Sequence, residues 1–117
     1  MNGYSYIGGI IMIIQIWNSE DEIGYKQITT FYSDFSIADI FGVDGVKDTF
    51  NRAFENWKDD YKYLTELILV LNRKSWYYVD DNKELSSLYT ELYYKASEYA
   101  IATLKGEELK YYLDITD

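Results

Sequence analysis

From Ser36 to the end of the chain, apolar residues recur at helical spacing, and this periodicity fixes most of what the polypeptide can fold into. Ser36 is placed to cap a short helix over 37–41, which Gly42 ends. Asp44 is placed to cap the next, from 45 to about 57. Val46, Phe50, Ala53, Phe54 and Trp57 form its inner face, and Asp48 and Arg52 stand four apart as a pair on its outer face. Asp59-Asp60 opens the most apolar helix, which runs to Tyr78. Leu64, Leu67, Ile68, Leu71 and Ser75 line one side of it, and Leu69, Val70 and Trp76 widen the stripe, as expected of a central element. Asp80-Asp81-Asn82 reads as a turn. A long helix follows from 83 to about 104, burying Leu85, Leu88, Tyr89, Leu92, Ala96, Tyr99, Ala100 and Thr103. Gly106 breaks it, and 107–113 forms a last short helix.

The N-terminal part reads differently. Residues 10–17 are rich in Ile and of strand length, and 24–32 supply the β-formers Tyr25, Ile28, Thr29, Thr30, Phe31 and Tyr32. Between them lies an acidic turn, Glu20-Asp21-Glu22. The expected fold is therefore α+β, mostly α: an N-terminal hairpin packed on about four helices in a single domain spanning 1–117. Met12 is an alternative start that would make 1–11 a dispensable leader. No Lys or Arg precedes Lys26, so the first residues lack a signal peptide's positive region, and the apolar run is too short to span a membrane.

Chemistry is bounded by what is missing. With no His and no Cys, neither a Ser-His nor a Cys-His nucleophile can be built, nor a zinc site of ordinary type, and no disulfide can form. A cytoplasmic setting and a chain without cofactor or metal follow as expectations. Carboxylate sites for hard cations are the remaining metal option, with Glu20-Asp21-Glu22 and Asp80-Asp81 as clusters, but both read as solvated turn charge. Glu108-Leu109-Lys110 matches half of a restriction-nuclease site but falls in a helix, where that chemistry needs a strand. Gly8-Gly9 and the glycines at 42 and 45 are not followed by the Lys-Ser/Thr of a phosphate loop.

What remains is acid and phenol: a net charge of −9 and 14 Tyr in 117 residues. That charge opposes direct binding of nucleic acid and suits basic partners. Residues 20–60 hold 10 acids against 4 bases, whereas 61–79 hold 1 against 3. The candidate partner-binding residues are accordingly Glu20, Asp21, Glu22, Asp34, Asp39, Asp44, Asp48, Glu55, Asp59 and Asp60. Tyrosines at 77–78, 93–94 and 111–112 come in adjacent pairs, so one of each pair must turn away from the core and is open to an interface, a homodimer included.

The segment Thr29-Thr30-Phe31-Tyr32-Ser33-Asp34-Phe35-Ser36-Ile37-Ala38-Asp39-Ile40-Phe41-Gly42 resembles small acidic accessory proteins carried on mobile elements of Gram-positive bacteria. So do Asp48-Thr49-Phe50-Asn51-Arg52-Ala53-Phe54, Tyr63-Leu64-Thr65-Glu66-Leu67, Leu71-Asn72 and Leu104-Lys105-Gly106-Glu107-Glu108-Leu109, and the likeness runs from about Met12 to Asp117. No functional residue carries over from that group. In size and acidity the chain is also similar to anti-CRISPR and anti-restriction proteins, a likeness of type without a shared motif. It implies an inhibitor that binds a host nucleic-acid enzyme, such as an RNA-guided nuclease, through a DNA-mimicking acidic surface. The alternative is a homo-oligomeric accessory protein of element transfer or replication.

Overall fold

The computed structural model describes residues 22–116, with side chains from Phe31 onward. The described residues form five helices and no strand: α1 (Glu22–Ile40), α2 (Gly42–Trp57), α3 (Tyr61–Tyr77), α4 (Lys83–Thr103) and α5 (Gly106–Thr116). The α+β expectation is thus corrected: over the described residues the fold is helical throughout. Residues 24–32, read as the second strand of a hairpin, lie inside α1. The first expected strand, 10–17, and the leader 1–11 lie outside the described residues. The physical reason is that Phe31, Phe35 and Ala38, spaced i, i+4 and i+7, are buried together against the core. That burial outweighs the β preference of Ile28, Thr29 and Thr30, a preference that tertiary context readily overrides.

The remaining elements follow their local signals closely. Ser36 is not a cap, because α1 runs through it to Ile40. Gly42, at φ +79°, makes the turn between α1 and α2. Helix α2 begins there without a side-chain cap, so Asp44 sits in its first turn instead. Asp60 caps α3 by accepting from the backbone N–H of Lys62 and Tyr63, and Asn82 caps α4 by accepting from Leu85. Gly106, at φ +59°, separates α4 from α5.

Helix α3 is the centre. It packs on all four other helices, most extensively on α4. Leu64, Leu67, Ile68, Val70 and Leu71 have no exposed surface. Burial continues around this helix to Thr65 and Glu66, while Trp76, expected to widen the stripe, is exposed. From α4, Leu85, Leu88, Tyr89, Leu92, Ala96 and Ala100 complete the core, whereas Thr103 turns out to be exposed. Helix α5 closes the lower end through Tyr112, with Tyr111 edge-on to Tyr61. Two of the three tyrosine pairs split: Tyr77 and Tyr94 are exposed, while Tyr78 and Tyr93 pack against the core; in the third, Tyr112 is buried and Tyr111 half-buried.

Candidate functional site

Two features stand out, one buried and one open. The buried one centres on Asp39, near the end of α1. Its carboxylate forms an ion pair with Lys74 of α3 at 2.6 Å, and the two side chains are only 8% and 4% exposed. Tyr78 donates its hydroxyl to Asp39 Oδ2 at 2.5 Å, and Tyr89 of α4 donates to Asp39 Oδ1. The Lys74 ammonium also lies 3.5 Å from Ser36 Oγ. Around it stand the rings of Tyr32, Tyr77, Tyr78 and Tyr89, with centroids 5.2–5.8 Å away. Such rings present their negative faces to a cation.

This cluster raises the phenol pKa values. Burial, reduced in part by Arg73, pushes Tyr32 up from 10 to about 12. Burial and then the hydrogen bond to Asp39 hold Tyr78 and Tyr89 above the ordinary tyrosine range as well. The arrangement ties α1 to α3 and α4. It withdraws Asp39 from the expected acidic surface, because its charge is already matched inside the protein.

The open feature is a groove of about 500 Å³ between the end of α1 and the start of α2. Its lining includes two small residues, Ala38 from α1 and Gly45 from α2. A Cβ on Gly45 would stand 2.7 Å from Phe41 Cβ and 2.8 Å from the Ala38 carbonyl oxygen, so glycine is what lets the helices approach. Ile37 and Phe41 provide apolar lining. Asp34, Asp44 and Asp48 provide carboxylates, and none of the three takes part in an ion pair among the described residues. Arg52 lines the groove too. The pair expected between it and Asp48 is not formed; its guanidinium donates instead to Thr49 Oγ1 at 3.4 Å. A smaller hollow of about 250 Å³ extends past Asp34 and Arg52 towards Trp57.

The other expected acids are distributed as follows. At about 100° per residue, Asp44, Asp48 and Glu55 fall within roughly 40° of one another around α2, all on its exposed side. Glu55 accepts from Lys58 at 2.7 Å and raises the pKa of that ammonium. Asp59, beyond the helix, accepts from the Tyr99 hydroxyl at 3.1 Å, and Asp60 serves as the α3 cap. Glu22 begins α1, and Glu20 and Asp21 lie outside the described residues. The structure thus brings Asp34, Asp44 and Asp48 together, leaves Glu55 further along the same side of α2, and gives Asp39 and Asp60 structural tasks.

Glu108 and Lys110 are exposed on α5, where Lys110 pairs with Asp114 at 2.9 Å. Among the described residues no cluster of carboxylates is placed to hold a metal ion, and no helix is long and apolar enough to cross a membrane. Sequence reasoning missed Lys74. Its signal was available, since it falls three residues after Leu71 and seven after Leu67, on the buried stripe of α3. No protein-family model matches the chain, and neither a curated protein nor a solved structure matches it.

Proposed function

We propose that this chain is a non-catalytic binding protein that inhibits a nucleic-acid enzyme by occupying its basic site. The observation that carries the reading is the set of carboxylates at Asp34, Asp44 and Asp48, exposed, close together and free of ion pairs among the described residues. Arginines and lysines that hold phosphate accept carboxylate in the same way, through charge-assisted and often bidentate hydrogen bonds. An RNA-guided nuclease of a bacterial host is the most concrete target. It reads a short flanking duplex with arginines and holds strands in positive channels. The anti-defence role rests on the acidity and size of the chain, the link to mobile elements on the segments that resemble accessory proteins, and both belong to this proposal.

The test is capture of such a nuclease from a host lysate by the tagged protein, washed at low and at high salt. Salt-sensitive capture is expected, because attraction between exposed charges is screened within about 10 Å at 0.1 M. The double variant Asp44→Lys/Asp48→Lys should lose capture and inhibition while melting at the wild-type temperature. Inhibition that survives the charge reversal rejects the mimic mechanism. The self-associating alternative draws on the exposed Trp76, Tyr77 and Val79 at the far end of α3. A salt-insensitive dimer in light scattering would favour it.

A further inference from the structure

The groove has an apolar lip that acidity alone does not explain. Ile37, Ile40 and Phe41 are 57%, 80% and 73% exposed, consecutive on the outward side of α1 and its turn. Single exposed apolar residues are ordinary, but three together at one helix end form a patch. Local preference does not account for them, since Lys, Glu or Ala would serve an exposed helical turn better than Ile or Phe. Ile37 and Phe41 line a hollow of about 500 Å³, and Ile40 lies beside them one turn on from Ile37. The acids stand on the rim of the same hollow.

We infer that this groove receives a protein segment carrying a large apolar anchor flanked by arginine or lysine. The inference rests on the proposed acidic binding surface and names the kind of partner it takes. Charge decides between occupants. A second copy of this chain would bring the same carboxylates and a further net charge of −9 against the groove, whereas a basic segment is complementary. A bare polycation or a phosphate-binding cleft without an apolar projection would leave Ile37 and Phe41 in water. The apolar anchor supplies affinity that salt does not screen, and the carboxylates supply rate of encounter and orientation.

The test uses the full chain and two fluorescent helical peptides. One carries arginines on one face and two leucines four residues apart on the other; its control has serines for the leucines. Wild type should bind the leucine peptide at least about tenfold tighter, as expected from burying one leucine side chain. Ile37→Ser/Phe41→Ser should abolish that preference, and Ile40→Ser should reduce it. All three side chains are exposed, so circular dichroism should show these variants folded. Asp44→Asn/Asp48→Asn should weaken both peptides alike, and only at low salt. Equal affinity of wild type for the two peptides overturns the anchor and leaves the acidic surface standing. A leucine preference that persists while the Asp44 and Asp48 changes have no effect overturns the acidic surface. Binding of neither peptide overturns both, as does a wild-type dimer that Ile37→Ser/Phe41→Ser dissociates.

Discussion

Replacing Asp39 with Asn should be among the most destabilising single changes available in this protein. The substitution keeps the size of the side chain but removes the charge that matches Lys74. The ammonium would then sit 4% exposed with no other ion-pair partner among the described residues. Two tyrosine hydroxyls, from Tyr78 and Tyr89, would also lose a charged acceptor. Removing one partner of a buried pair costs about 3–5 kcal/mol, because the other charge stays behind uncompensated. Against a typical domain stability of about 5–15 kcal/mol this is a large share. Lys74→Met should cost less, because Asp39 still accepts from both hydroxyls and four rings remain to pack a flexible apolar chain. The double variant Asp39→Asn/Lys74→Met should recover part of the Asp39→Asn loss, since replacing both charges is often near neutral. Urea denaturation at pH 7, followed by helical circular dichroism, gives all three values. A loss below about 1 kcal/mol for Asp39→Asn, or a double variant no more stable than that single one, would refute the reasoning.

Alkaline pH should unfold the protein earlier than an ordinary helical bundle. Tyr32 has a folded pKa raised from 10 to about 12, and Tyr78 and Tyr89 are raised further. A raised value favours the neutral phenol, so this stability is present below pH 10 and is lost as pH rises from 10 towards 12 and beyond. Melting temperatures between pH 8 and 11.5 should fall, and Tyr32→Phe should make the fall shallower; a flat profile would count against buried, neutral phenols. Gly45→Ala should destabilise by about 1–3 kcal/mol, because the added Cβ meets backbone at Ala38 as well as Phe41. Unchanged thermal stability of that variant would mean the helices part easily at the groove.

How much was legible in the sequence depended on how local each signal was. Helices α3, α4 and α5 were readable because caps and breaks stand at their ends: Asp60, Asn82 and Gly106 act within three residues of themselves. Helix α1 was not, because Ile28, Thr29 and Thr30 resemble a strand when read locally. The helical spacing of Phe31, Phe35 and Ala38 was cut short by reading Ser36 as a cap. Among the candidate acids, Asp44 and Asp48 could be placed on one face from their four-residue spacing alone. Asp34 joins them only because α1 folds back on α2 at Gly42. Asp39 looked like any other exposed acid, since its partners lie 35 to 50 residues away and leave no local trace.

That separation along the chain also says something about order of assembly. Helices α1 and α2 adjoin through a one-residue link, and α3 and α4 through a short turn, so each pair can form from nearby residues. The Asp39 cluster is the polar contact that joins one pair to the other, beside the apolar core, across 39 residues to Tyr78 and 50 to Tyr89. Closing loops of that length is opposed by chain entropy until both halves exist. Desolvating an aspartate and a lysine before their tyrosines arrive would be costlier still. The cluster therefore closes after the two helix pairs have formed and opens before they come apart, which makes it a brake on unfolding more than an aid to folding. In a chevron plot of Asp39→Asn, the unfolding limb should rise while the folding limb stays near its wild-type position.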